Sequence, residues 1–489
     1  MSSTVTDVPE LHHALTANTG ILSDRSIAEA IDSSRPDAHL WQLAIANEFQ
    51  SLIDKGVYSE ALLPPGARAI GTRPLLVTKR DGSKKCRIVA QGFSQRPGVD
   101  FDDTFAPVCR YATLRNFLAV CAASELQIRQ LDVKVAFLNA TLDEVVYARP
   151  PAGYQSTIPR SVWRLYKALY GLRQAPRAWY SELRNKLRQL GFTISDADPS
   201  LFVLQSAEGT VLALIYVDDC LIAARSVSEI QPILEAISQF WEIKDLGEPS
   251  DFLGISIVRP TPSCTSIHHQ DYIIKLAALY DVQTMAPRSL PMDPKIQFIK
   301  DMGPLMTAPK RYRALVGAML HLANCTRPDI SFAVGVLSRY SQNPCDAHWD
   351  AALGTLRYCL FTSSLALTFG ARQPEENLTV SVYHDSDFAS SQDCRRRTSG
   401  YTAILNNAAV SWASKNRDGC TIHNGGGIPI SLSVWQGGCV VAKIMATNRI
   451  STGWPNSHLW GQQSLLGFVC LAANHSDEQA YSCNSLLSL

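Results

Sequence analysis

An almost unbroken apolar run, Val211 to Val217, is cut by Asp218-Asp219 and resumes at Leu221 to Ala224. That pattern reads as a hairpin of two buried strands with two carboxylates at its tip. Adjacent like charges repel, and a tight hairpin prefers Asn-Gly or Asp-Gly, so the pair is a poor passive turn. Taken alone, an ordinary turn stays open as the alternative. A second strand, Ile128 to Val133, ends at Asp132. Carboxylates brought together from separate strands are the donors that a hard divalent ion requires. Two such ions serve phosphodiester formation, one acidifying the attacking hydroxyl and the other neutralising the leaving pyrophosphate.

The rest of the chain must house that centre. At 489 residues it exceeds one ordinary core, so roughly two to four domains are expected. Hydrophobic content of 46% and charged content of 18% exclude disordered and fibrous classes. No apolar run reaches the roughly 18 residues of a membrane span, and the polar, acidic stretch Met1 to Glu10 is unlike a secretory signal. The 13 cysteines lack zinc-finger or zinc-knuckle spacing and are read as reduced thiols of a cytoplasmic or nuclear, non-secreted protein. His12-His13 and His268-His269 lack partners at metal spacing, and no metal role is expected for them.

Net charge is +1, but its distribution is uneven. Arg68, Arg73, Lys79, Arg80, Lys84, Lys85, Arg87 and Arg96 face only Asp81 between Arg68 and Gly98. Arg160, Arg164, Lys167, Arg173, Arg177, Arg184, Lys186 and Arg188 face only Glu182 between Arg160 and Leu190. Two such stretches suggest a polyanion-binding groove; two solvated faces are the alternative. Phe137, five residues past Asp132, has the bulk to lie under a nucleotide sugar and clash with a 2′-hydroxyl. A core phenylalanine is the competing reading.

Periodicity predicts a loose leader over 1 to 40, then a helix from Leu40 to Ile53. Strands are expected at Leu75 to Thr78 and Cys86 to Ala90, joined at Asp81-Gly82. Helices are expected at Thr113 to Ser124, Leu165 to Leu190 past the Tyr170-Gly171 break, Ile230 to Phe240, Tyr312 to Leu322 and Phe332 to Tyr340. Pro260-Thr261-Pro262 and Pro287 to Pro304 read as linkers, and a new strand pattern begins at Thr379 to Tyr383.

The order of motifs resembles the polymerase of copia-type (Pseudoviridae) retrotransposons over roughly Trp41 to Lys415. The matching segments are Arg87 to Phe93, Thr104 to Val108, Leu131 to Ala140, Lys167 to Tyr180, Tyr216-Val217-Asp218-Asp219, Lys244 to Gly247 and Phe252-Leu253-Gly254. The resemblance implies an α+β right-hand polymerase (fingers, palm, thumb), a connection and a truncated RNase H-like α/β domain. Expected bounds are 1–40 leader, 41–300 reverse transcriptase, 301–375 connection, 376–415 partial RNase H-like domain and 416–489 tail. It implies that Asp132, Asp218 and Asp219 are catalytic and hold two Mg²⁺, with Mn²⁺ as a substitute. Phe137 becomes the steric gate, Lys79 and Arg87 hold the triphosphate, and Gly171, Gln174 and Pro176 line the nucleotide. Arg177, Arg184 and Lys186 run along template and primer. The implied partners are an RNA template, a nucleic-acid primer and deoxynucleoside triphosphates, with no membrane and an oligomeric state left open. The family's virus-like particle implies a cytoplasmic location.

Thr326 to Ile330, Arg395 to Tyr401 and Val410 to Lys415 resemble the connection and RNase H regions, and Asp385 matches the first acidic ligand of the nuclease. The family next supplies Thr-Val-Ala-Leu-Ser-Thr-Thr-Glu-Ala-Glu-Tyr, whose glutamate is the second ligand. Here Asp418 to Pro429 stands instead, Gly-rich and without a glutamate. Back-translated and read one base later, that stretch can encode the missing segment. A frameshift near Asn416 or Arg417 is therefore expected, with RNase H activity lost. Sequencing the locus tests it, since coding DNA without the shifted reading sinks the idea.

Overall fold

The computed structural model describes residues 21–23, 27–79, 81–206, 209–370, 380–386 and 397–417. At its centre lies a six-stranded sheet in the order Ile243–Gly247, Gln127–Val133, Asp219–Ala224, Thr210–Tyr216, Leu201–Gln205, Thr193–Ile194, antiparallel throughout. Its middle strands are covered on both faces, which explains a continuous apolar run rather than alternation. Val211, Ala213, Ile215, Cys220 and Ile222 enter one core, while Leu212, Leu214, Leu221 and Ala223 enter another on the opposite face.

The first core is closed by an antiparallel layer of Ile21–Ser23, Thr72–Thr78 and Lys84–Ala90. On it lies the helix Ala38–Asp54, burying Trp41, Ile45 and Leu52. Cys86, Ile88 and Ala90 alternate inward. Glu48, buried in that helix, accepts the Ile88 N–H at 3.0 Å. The expected leader is therefore shorter than 40 residues: Ile21–Ser23 pairs with Thr72–Thr78, and Ile27 and Ala30 are buried in a short helix. Segments of three and four residues are too brief to show a period.

The second core holds the helix Tyr111–Ala123, whose other side receives a three-stranded antiparallel sheet, Val380–Ser386, Arg397–Leu405 and Ala408–Arg417. Arg115 stacks on Trp412 at 3.9 Å and donates to the Val410 carbonyl at 2.7 Å. The helices Gln270–Leu279, Pro309–Cys325, Ser331–Ser338 and Asp346–Phe361 form a third core.

Three expected elements are corrected. Leu165 to Lys167 belongs to the strand Val162–Lys167, and the helix starts only at Ala175, with Pro176 in its first turn. Pro260 lies within the strand Ile255–Thr261, where the ladder slips between Val258 and Thr261, so the missing N–H costs no bond. The stretch Pro287 to Pro304 carries no helix or strand, yet it is docked. Its carbonyls at Pro291, Phe298 and Ile299 accept from Thr355, Tyr340 and His348. Among the described residues no helix is long and apolar enough to cross a membrane, and the cysteines are free thiols.

Candidate active site

The apolar run folds as the sequence suggests: Tyr216 pairs with Asp219, and Val217-Asp218 form the two-residue turn. Val217 sits at φ +57, the sign that a hairpin turn needs but a β-branched side chain resists. Two hydrogen bonds hold it there. Trp179 Nε1 donates to the Val217 carbonyl at 2.7 Å, and the Val133 N–H donates to the Asp218 carbonyl at 2.9 Å. Val135 is a second β-branched residue at positive φ, +47, just past Asp132. Strain of about 1–3 kcal/mol per residue persists only where surrounding structure enforces it.

The turn brings the acids together. Asp219 lies directly across the ladder from Asp132, with Asp218 beside it. None of the three is in an ion pair among the described residues. Burial, then the Asp132 charge, raises the Asp218 carboxyl above its ordinary range, against the pull of Arg87 and Lys85. Burial, then Asp218 and Asp132, pushes Asp219 up to about 7, with a Gln130 hydrogen bond opposing. Three crowded carboxylates with no direct ion pair among the described residues, and with Arg87 and Lys85 only nearby, suit a hard divalent ion. Oxygen-only donors on adjacent strands fit Mg²⁺ in chemistry and number.

Facing them is the strand Lys84–Ala90, whose outward set is Lys85, Arg87 and Val89. The Arg87 guanidinium lies 4.8 Å over the Tyr170 ring, and its Nε is buried without a hydrogen-bond partner. Phe137 packs edge-on against the same ring at 5.4 Å. Lys79 is exposed at the turn after Thr72–Thr78. Partial burial, then Arg87 and Lys79, holds Lys85 below the usual lysine range, while Asp132 pulls the other way. In the sequence Lys85 stands out only as one cation of the first basic stretch, and Tyr170 only as part of a matching segment. Strand alternation from Arg87 would have found Lys85; Tyr170 needed the fold.

Gly171 has a structural reason. At φ +85, an added Cβ would meet the Ala90 carbonyl oxygen at 2.2 Å, beside the Ala90 N–H bond to the Tyr170 carbonyl. Gln174 is buried and bonded to Gln95 and the Asp100 carbonyl, bracing the loop. Pro176 lines a small cavity with Trp179, Ile215 and Val217 behind the turn. Arg177 and Arg184, seven apart, share one face of the helix Ala175–Gln189. Arg177 pairs with exposed Asp103 at 3.1 Å. Lys186 projects from the opposite side, its Nζ 4.9 Å over Phe240, so the three cations do not form one track. Asp385 falls on the strand Val380–Ser386 opposite Gly400, and its side chain lies outside the described residues. The suspected frameshifted tail also lies outside the described residues beyond Arg417.

A family model described as reverse transcriptase (RNA-dependent DNA polymerase) matches residues 55–294. A putative transposon Ty5-1 protein of Saccharomyces cerevisiae is 32% identical over 290 residues, 59% of this chain and 93% of that protein. The chain belongs to the copia-type retrotransposon reverse transcriptase family. The chain is also 38% identical over 386 residues to the Pol polyprotein from transposon RE1 of Arabidopsis thaliana, covering 78% of the chain and 26% of the relative. With the Nicotiana tabacum TNT 1-94 polyprotein it shares 32% over 411 residues, 81% and 31% respectively. It thus spans between a quarter and a third of these Pol polyproteins. A foamy viral protease-reverse transcriptase solved with double-stranded DNA aligns over 90% of this chain and 70% of its own, at 13% identity and a TM-score of 0.45. The mixed helices and antiparallel sheets of this chain, together with the family match, agree with the α+β polymerase class expected from the motifs.

Proposed function

We propose that this chain extends a nucleic-acid primer with deoxynucleotides, copying RNA and DNA templates at Asp132, Asp218 and Asp219. The observation that carries the reading is the cross-strand pair Asp132–Asp219 with Asp218 on a strained turn, three carboxylates without an ion pair among the described residues. In the reaction the primer 3′-oxygen bonds to the α-phosphorus as the bond to pyrophosphate breaks. Divalent ions, when bound, acidify that hydroxyl and neutralise the leaving group. The three carboxylates would hold them. Arg87, with a free buried Nε, together with Lys85 and Lys79, faces the triphosphate. Tyr170 fixes both Arg87 and Phe137, so that Phe137 fills the space a ribose 2′-hydroxyl would need.

Primer extension on an RNA template with Mg²⁺, using the full chain and Asp218→Asn, tests it. Equal activity in the two proteins, or none in either, defeats the catalytic reading. A non-catalytic relic that only binds nucleic acid is the second reading. What favours it is the Gly-rich Asp418 to Pro429 stretch where the family's glutamate segment is expected. The same stretch supports loss of RNase H activity, since Asp385 would lack its second ligand. An assay on an RNA/DNA hybrid checks it: cleavage by the full chain would refute the loss.

A further inference from the structure

A second cluster of donor atoms lies away from the carboxylates and is built from different chemistry. His269 caps the junction between the strand Cys264–His268 and the helix Gln270–Leu279. His321 and Cys325 stand one turn apart on the helix Pro309–Cys325, a spacing that puts both on one face. One donor atom from each of the three lies within 4.8 Å of the others. Cys325 Sγ is 3.5 Å from His321 Nδ1, and the two imidazole centroids are 5.2 Å apart. Metal–nitrogen and metal–sulfur bonds of roughly 2.0 and 2.3 Å at a tetrahedral angle set their donors about 3.6 Å apart. The Cys325–His321 edge already has that length.

An independent sign comes from His269. The residue is 2% exposed, its Nδ1 lies 2.7 Å from Thr326 Oγ1, and its Nε2 is buried with no hydrogen-bond partner. With the ring proton on Nδ1 and donated to Thr326, Nε2 is a bare, buried lone pair. An outer hydrogen bond of this kind orients metal-bound imidazoles. We propose that His269, His321 and Cys325 bind one zinc-class divalent ion, the fourth position going to solvent on the half-exposed side of His321. Two imidazoles and a thiol are nitrogen and sulfur donors, which favour Zn²⁺ over the Mg²⁺ suited to the aspartates. Binding releases the Cys325 thiol proton to solvent as the sulfur–metal bond forms. The widest donor spacing must close by about 1 Å to complete the shell.

The placement gives the ion a task. Tyr111, first residue of the helix Tyr111–Ala123, lies near enough to the Cys325 sulfur for each to shift the other's ionisation, and it meets the His321 ring edge-on at 6.0 Å. Tyr216, at the hairpin that carries Asp218 and Asp219, lies close enough to Tyr111 to influence its ionisation. A bound ion would therefore brace the helical region against the sheet holding the carboxylates.

The test uses the full chain, stripped with a chelator and titrated with Co²⁺ as a spectroscopic probe, then with Zn²⁺. One equivalent of Co²⁺ should give a near-ultraviolet thiolate-to-cobalt band and intense four-coordinate visible bands, both removed by Zn²⁺. Cys325→Ser should remove the thiolate band, while Cys264→Ser keeps it. His321→Ala, at a half-exposed position the fold should tolerate, should weaken Zn²⁺ binding more than about 100-fold, and Thr326→Val by about 10- to 100-fold. Asp218→Asn should bind Zn²⁺ as the wild type does, so the outcome is independent of polymerase activity. No thiolate band in the wild type, or a band that survives Cys325→Ser or His321→Ala, would overturn the site and leave a packed Tyr111–Cys325–His321 cluster only.

Discussion

The two donor clusters are built on opposed physical principles. At the hairpin tip, like charges are crowded together, the backbone is strained at Val217 and Val135, and among the described residues no cation is in direct ion pair with the group, Arg87 and Lys85 lying only nearby. At His269, His321 and Cys325 the donors are neutral, the backbone is ordinary helix and strand end, and a lone pair rather than a charge is left unsatisfied. The contrast shows how one chain can prepare oxygen sites for hard ions by repulsion and nitrogen–sulfur sites for soft ions by burial. It also predicts that the two respond to mutation with opposite signs.

The largest effect is expected from Asp218→Asn. Primer extension should fall at least about a thousand-fold, because the residues of such a centre act as a unit, while the urea midpoint stays level or rises. Comparable losses of activity and stability would show that the turn, rather than the charge, is what was removed. Next comes Arg87→Ala, which should raise KM for deoxynucleotide by about 10- to 100-fold through loss of a charge-assisted contact. An unchanged KM would detach Arg87 from the triphosphate and leave it as a partner of Tyr170 alone.

A smaller effect of opposite sign separates the clusters directly. Asp219→Asn removes a buried charge that its neighbours oppose, and should stabilise the metal-free protein by about 2 kcal/mol. Cys325→Ser removes a buried thiol from its contact with His321 and from beside Tyr111, and should destabilise by about 1 kcal/mol. Urea titrations without metal check both. The same sign in both variants would collapse the contrast.

How far the sequence carried this reading depends on the range of the signal. Asp132, Asp218 and Asp219 were legible because strand ends and a broken apolar run are local patterns. Arg87 and Phe137 were legible by resemblance, whereas Tyr170, which orients both, was not, since its role depends on a strand far away in the sequence. The helix expected past the Tyr170-Gly171 break begins at Ala175, whereas Leu165 to Lys167 joins a strand because partners at Tyr58–Ala61 and Thr141–Ala148 decide the state of a short segment. The histidine pair at 268–269 has no donor at local spacing, because His321 and Cys325 are remote in sequence and only the fold brings them to His269.

The smallest effect expected is a pair of opposed pH slopes. Asp219 holds a proton up to about pH 7 in the folded chain but only to about 3.9 when unfolded. Between those values the native state carries the extra proton, so this group lowers stability as pH rises. His269 is the reverse: burial, then His321 and His268, holds it at about 3, against about 6.5 unfolded. Between those values the unfolded state carries the extra proton, and stability rises with pH. Each slope is bounded by about 1.4 kcal/mol per pH unit, and from pH 4 to 6.5 they oppose each other. Wild-type stability should therefore be nearly flat over that window. Asp219→Asn should uncover a rising slope and His269→Asn a falling one, measured by urea unfolding at half-unit intervals. Mg²⁺ should stabilise the wild type less at pH 5, where Asp219 is largely protonated, than at pH 8, where it is largely ionised. Parallel slopes in the two variants would mean that the carboxylates and the imidazoles do not dominate the titration, and would remove the electrostatic basis for setting the two clusters apart.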